Sequence, residues 1–275
     1  MPFVEINGLD LYYEIHGHGM PILMLHHGFG CSKMWGEIVP ELVENGYKVI
    51  CYDRRGYGQS NGGKDFLDFY VSDQFLPASV SDLESFRHWL GIDSFYLVGQ
   101  CEGGVIAADY AVKYPDRVKN IVISSTLCYS ACPMSEFNFS KFTKSFDELD
   151  ESLQNKLTMW HGDNAKPFFE QFRNYGGAYG KDYFDLRPTL SQVGCSTLVL
   201  YPDRSYLFEV EQGVAFYRSL PRGELAVIPD CGHNTYDEQP EEYVSQIVKF
   251  FSRCRGDQMI GISGKRPRRP ITCAG

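Results

Sequence analysis

The sequence predicts an α/β fold, a mostly parallel sheet with helices on both faces, and three observations carry that expectation. Short β-branched runs alternate along the chain with stretches of helical spacing. Most of those runs are apolar throughout, as strands buried on both faces are. One of them ends in a glycine-bounded turn that leads straight into a helix. A length of 275 residues allows one large domain or a domain with an insertion.

In chain order the strand runs are 9–15, 21–26, 47–53, 94–99, 118–124, 197–201 and 225–229. Helical spacing falls between them at 33–45, 79–90, 102–114, 210–220 and 241–251. Ser79-Val80-Ser81-Asp82 and Gln239-Pro240-Glu241 supply helix starts. Strand followed by helix followed by strand implies parallel pairing. Two segments interrupt the rhythm. Residues 127–192 lack strand signals and are aromatic at 13 of 66 positions, against 27 of the other 209, which fits a helical lid inserted into the sheet domain. Residues 255–275 are rich in Gly, Pro and basic residues without periodicity and read as a disordered basic tail.

Charge narrows the partners. Twenty-six Lys and Arg against 35 Asp and Glu give −9, a sign that repels phosphate backbones and anionic head groups, so nucleic acid is not an expected partner. No window reaches the roughly 18 apolar residues of a membrane span, and no secretory leader is apparent. Nine scattered cysteines read as reduced thiols, which places the protein in the cytoplasm, with the peroxisome as the alternative. Cys231 and His233 lack further ligands in register, so neither a metal nor a cofactor is expected.

The chemistry concentrates at Gly99-Gln100-Cys101-Glu102-Gly103-Gly104, where a strand turns into a helix. Such a turn holds its central residue in a strained conformation aimed at a pocket, with glycines where side chains would collide. Cys101 is therefore the candidate nucleophile; a buried structural cysteine is the alternative. The helix N-terminus and a nearby imidazolium are expected to favour its thiolate. His26-His27-Gly28-Phe29-Gly30 follows the strand at 21–26, where the N–H groups of Phe29 and Glu102 are candidate oxyanion donors. His27 is expected to hold that loop and His26 to pack at the strand end. His233, in Asp230-Cys231-Gly232-His233-Asn234, is the candidate base.

With these motifs in place, the chain resembles α/β-hydrolase-fold enzymes of the capped esterase, lactonase and epoxide-hydrolase type, over residues 3 to about 253. The matching stretches are His27-Gly28, Asp53-Arg54-Arg55-Gly56-Tyr57-Gly58-Gln59-Ser60, the Cys101 turn and Gly232-His233. The resemblance implies an eight-stranded sheet, a core over 1–126 and 193–254, and a lid at 127–192 inserted after the sixth strand. The cysteine turn is also similar to that of dienelactone hydrolases, which lack so large a lid. More faintly, the pattern is similar to hydrolases of fungal secondary-metabolite clusters, including toxin pathways.

The resemblance also places an orienting acid after the strand at 197–201, where this chain reads Pro202-Asp203-Arg204-Ser205. Serine stands at the acid's usual position and Asp203 two residues early. Asp203 is the expected acid, provided the loop shifts; a turn-capping aspartate is the alternative. A thiol tolerates a weak orienting group better than a hydroxyl does. The expected reaction is hydrolysis of an ester, lactone or thioester of an apolar small molecule through acyl-Cys101. Trp160, Phe142, Phe168 and Phe172 are the candidate substrate contacts, and three or four lid rings in all are expected at the pocket. A ligand-binding protein without turnover, or a cyclase or lyase of secondary metabolism, remains open.

Overall fold

A computed structural model describes residues 2–174 and 176–259, with side chains as far as Cys254. Eight strands, β1 (Phe3–Ile6), β2 (Leu9–His16), β3 (Met20–Leu25), β4 (Tyr47–Tyr52), β5 (Phe95–Gln100), β6 (Val118–Ser124), β7 (Ser196–Pro202) and β8 (Gly223–Ile228), form one sheet in the order β1-β2-β4-β3-β5-β6-β7-β8. The first two pairings, β1 with β2 and β2 with β4, are antiparallel; β4, β3 and β5 to β8 run parallel.

The pleat sorts each apolar strand onto two faces, because side chains alternate with period two. Ile22 and Met24, Val49 and Cys51, Tyr96 and Val98, and Leu198 and Leu200 point to one core cluster, shared with Leu42 and Phe250. Leu23 and Leu25, Ile50 and Tyr52, Leu97, Ile121 and Ile123, and Val199 and Tyr201 point to the other, shared with Phe86, Val105 and Phe216. Eleven helices complete the described residues: α1 (Val39–Glu44), α2 (Phe66–Tyr70), α3 (Phe75–Trp89), α4 (Glu102–Lys113), α5 (Met134–Lys141), α6 (Glu151–His161), α7 (Ala165–Asn174), α8 (Arg187–Leu190), α9 (Val210–Ser219), α10 (Thr235–Glu238) and α11 (Pro240–Met259). Helices α5 to α8 all lie between β6 and β7, where no strand is found among the described residues.

Several expectations need correction. The strand β1 was not expected; it is a short edge that, among the described residues, pairs only with β2. The helix expected at 33–45 is broken into a 3₁₀ turn, Ser32–Trp35, and α1, because Gly36 ends the turn and Pro40 has no N–H to continue it. Helix α3 begins at Phe75 rather than at Ser79; Pro77 is tolerated in the first turn, whose N–H groups have no partner within the helix. Helix α11 runs to Met259, so 255–259 are helical; the remainder of the expected disordered tail lies outside the described residues.

Candidate active site

Strand β5 delivers Cys101 and α4 carries the chain away. Cys101 has φ +52° and ψ −117°, a conformation that costs an L-residue about 1–3 kcal/mol. Its N–H donates to the Ser124 carbonyl (2.8 Å), and its carbonyl accepts from Gly104 N–H (2.9 Å) and Thr126 Oγ1 (3.0 Å). A Cβ at Gly99 would fall on the Gly103 carbonyl, and one at Gly103 on the Leu25 carbonyl of β3, so both positions must be glycine.

The sulfur is buried, lies 3.6 Å from Tyr179 Oη and receives the Glu102 N–H. Burial pushes the thiol up to about 12, against an ordinary 9.0; the hydrogen bond from Tyr179 and the Glu102 N–H pull the other way and lose. Desolvation thus works against the expected bias toward thiolate and favours the neutral thiol.

Glu102, the candidate oxyanion donor through its backbone N–H, also anchors a second cluster through its side chain. Its carboxylate is fully buried, forms an ion pair with Arg54 Nη1 (2.7 Å) and accepts from Tyr57 Oη (2.7 Å) and the Ala178 N–H (3.2 Å). Arg54 also donates to the His26 carbonyl (3.1 Å) and lies over the Tyr57 ring at 4.4 Å. The adjacent Asp53 accepts from the N–H groups of Ser32 (2.6 Å) and Gln59 (2.8 Å), which fixes the loop after β4. Through Ala178 this cluster places the neighbouring Tyr179 against the sulfur.

His233 lies beyond β8, and its carbonyl accepts from Gln100 Nε2 (2.9 Å), which ties its loop to the residue before the cysteine. Asp203 does not reach it. The Asp203 carboxylate caps Cys231 N–H (3.1 Å) and faces Arg204 Nε at 3.8 Å, and those contacts hold it below the usual carboxylate range. Ser205 Oγ stands 3.1 Å from His233 Nδ1 instead. The lone pairs of that oxygen already accept from Leu207 N–H (3.2 Å) and Phe208 N–H (3.1 Å), so its own proton is what reaches Nδ1. Nδ1 then accepts, and Nε2 carries the ring hydrogen. Burial lowers the His233 imidazole to about 4, and no carboxylate restores it. No hydrogen bond joins Cys101 to His233 among the described residues; both line one cavity of about 440 Å³.

Phe29 N–H, expected at the oxyanion position, donates to His27 Nδ1 (3.0 Å), while His27 Nε2 meets Tyr236 Oη (3.0 Å). The loop's own histidine thus engages the donor. His26 packs at the strand end as expected, its Nε2 accepting from Arg54 N–H (3.1 Å).

Four aromatic residues from the segment between β6 and β7 reach the cavity: Phe142, Trp160, Phe169 and Phe172. Phe168 is a correction. On α7 a one-residue step turns the side chain by about 100°, so Phe169 faces the cavity while Phe168 packs on Tyr57 (5.0 Å) and Tyr70 (5.2 Å). Phe139 is 65% and Tyr183 71% exposed, so neither contributes. Tyr175 lies outside the described residues. The sequence already placed Ser205 at the acid's position, but nothing in it brings Tyr179 to the sulfur or Gln100 to the histidine loop. The eight described cysteines are free thiols. Among the described residues no His, Cys, Asp and Glu group is placed to hold a metal, and no helix is long and apolar enough to cross a membrane.

Comparison with known proteins agrees with this architecture. The alpha/beta hydrolase fold family matches over residues 21–158, half of the chain. A proline iminopeptidase of Lactobacillus helveticus is 33% identical over 132 residues, 46% of this chain and 42% of that protein. The matched region thus spans less than half of that relative's length. A proline iminopeptidase of Thermoplasma volcanium is 28% identical over 91% of this chain and 96% of its own. The enol-lactonase of Burkholderia xenovorans LB400 superposes with a TM-score of 0.74 at 17% identity, covering 91% of this chain and all of that one, a likeness of fold.

Proposed function

We propose, for a chain that belongs to the alpha/beta hydrolase fold family, that it hydrolyses a carboxylic ester, lactone or thioester of an apolar small molecule through acyl-Cys101. One observation carries the reading: a strained, positive-φ cysteine at a helix N-terminus opens onto a largely apolar cavity that a neutral histidine also lines. Strain of this kind persists where surrounding structure enforces it, and active sites are where it concentrates.

The reaction begins from a neutral pair. The imidazole takes its other tautomer, Nδ1–H donating to a Ser205 Oγ lone pair that one of the two backbone N–H groups gives up while the serine proton turns away, which frees Nε2. Nε2 accepts the thiol proton as sulfur bonds to the carbonyl carbon. The oxyanion receives the N–H of Glu102, joined by that of Phe29 once it leaves His27. The C–O or C–S bond of the leaving group then breaks, and the imidazolium protonates the departing atom. Water attacks the thioester, gives a proton to Nε2, and the returning sulfur recovers it. The segment 127–192 acts as the lid that excludes solvent, and the aromatic wall selects an apolar acyl or aryl group.

One observation favours a second reading, ligand binding without turnover: Ser205 supplies no charge, and the resting tautomer presents Nε2–H rather than a lone pair. Incubation with a 4-nitrophenyl ester followed by peptide mass analysis separates the two. Hydrolysis through sulfur yields an acyl adduct on the peptide containing Cys101, and both adduct and turnover vanish in Cys101→Ala and His233→Ala. A binding protein yields no adduct, and its ligand affinity survives in Cys101→Ala.

A further inference from the structure

We propose that the mouth of the Cys101–His233 cavity is a carboxylate subsite, so that the ligand is an apolar chain or ring with an acid group at the end remote from the sulfur. That this ligand is also a substrate rests on the hydrolase reading; the subsite itself does not.

The cavity wall is charged at three positions, Lys141, Lys144 and Lys156, and no Asp or Glu lines it, although acidic residues outnumber basic ones 35 to 26 in the chain. The deeper wall is apolar, built by Phe29, Leu157, Trp160, Phe169 and Phe172. Lys156 is balanced, with its ammonium 3.3 Å from Asp237 Oδ2 and 5.0 Å from the Trp160 ring. The other two lysines lack an acidic partner at ion-pair distance among the described residues, Lys141 lying over the Phe137 ring at 5.8 Å. Lys141 Nζ donates to the Tyr206 carbonyl across the mouth (3.1 Å) and makes no ion pair among the described residues. Lys144 has none either; Glu148, the acid that feels its charge, is engaged by Ser145 N–H (2.8 Å) and Ser145 Oγ (2.7 Å).

The rim that presents these amines is built rather than loose. Arg173 donates from Nε to the Phe142 carbonyl (3.0 Å) and from Nη2 to the Thr143 carbonyl (3.1 Å), and is itself paired with Glu170 at 2.8 Å. Phe142 turns inward against Phe172 (5.2 Å) between the two lysines. An apolar ligand filling the cavity places its far end beside two ammonium groups that make no ion pair among the described residues, and a carboxylate there needs no burial in the aromatic wall.

The test compares 4-nitrophenyl hydrogen suberate with its methyl ester, which replaces the remote carboxylate by a neutral ester, with nitrophenolate release as the readout for both. Two half-exposed ion pairs favour the acid by roughly fivefold in kcat/KM, expressed in KM. The ratio falls toward one at about 1 M salt and in Lys141→Met/Lys144→Met, and is retained in Lys119→Met, a lysine at the start of β6. A parallel titration of Cys101→Ala with monomethyl and dimethyl suberate, followed by tryptophan fluorescence, reads the same preference without chemistry. Preference in that titration with no turnover in the native protein upholds the subsite and removes the hydrolase reading. A ratio of one in the native protein, a ratio that survives the double substitution, or no saturable binding of the monoanion overturns the subsite.

Discussion

Two polar clusters flank the turn at Cys101, and they are built on opposite principles. Beneath it, Glu102, Arg54 and Tyr57 form a fully buried ionic group that ties α4 to the loop after β4 and to Ala178. Above it, His233, Ser205 and Gln100 are joined by hydrogen bonds between neutral groups. A carboxylate thus stands one residue from the sulfur and yet serves position, while the place beside the imidazole that a carboxylate could hold is taken by a hydroxyl. The difference teaches that charge at this edge of the sheet holds the turn in shape, while the proposed reaction would draw on sulfur, which needs less activation than a hydroxyl.

The sharpest way to break the comparison is Glu102→Ala. It leaves the Arg54 guanidinium buried without its counter-ion, and urea unfolding should register a loss of about 3–5 kcal/mol. Removing both charges in Arg54→Met/Glu102→Leu should cost clearly less than the sum of the single changes. A loss below about 1 kcal/mol for the alanine variant would show that the ionic cluster does not hold the turn.

Ser205→Asp sharpens the contrast from the other side. The new carboxylate accepts from Nδ1–H, fixes the tautomer with Nε2 free, and should raise ester hydrolysis about tenfold, or about 1.4 kcal/mol of barrier. Its pH profile moves as well. A general base works only while neutral; the native imidazole, lowered to about 4, keeps activity until the pH falls through that region. A neighbouring carboxylate favours the imidazolium, so the acid limb of the variant lies at higher pH. An unchanged rate and limb would mean that His233 is not the base.

Asp203→Asn should do least, changing kcat/KM by less than about twofold and stability by about 1 kcal/mol, since the residue caps Cys231 N–H and touches no reacting group. A tenfold loss of turnover would restore Asp203 as the orienting acid.

The parallel sheet and most of its strands were legible because burial on both faces leaves a local apolar signature at each of β3 to β7. The Cys101 turn was legible for a similar reason: Gly99 and Gly103 are dictated by contacts within a few residues and one neighbouring strand. The missed strand β1 has only Val4 and Ile6 inward, too short an alternation to stand out. Phe168 and Phe169 are indistinguishable by residue type; only the rotation of α7 on its neighbours assigns one to the cavity and the other to Tyr57 and Tyr70.

Residue identity alone thus determined the layered α/β architecture and the presence of a cysteine turn, since both follow from near-neighbour sterics and periodic burial. Tertiary structure decided what surrounds the sulfur. It brought Tyr179 from 78 positions away, set Ser205 rather than Asp203 beside His233, and buried the thiol and imidazole so that desolvation favours the uncharged form of each. Desolvation and the direction of a hydrogen bond depend on how distant segments pack, and no local stretch of the chain encodes them.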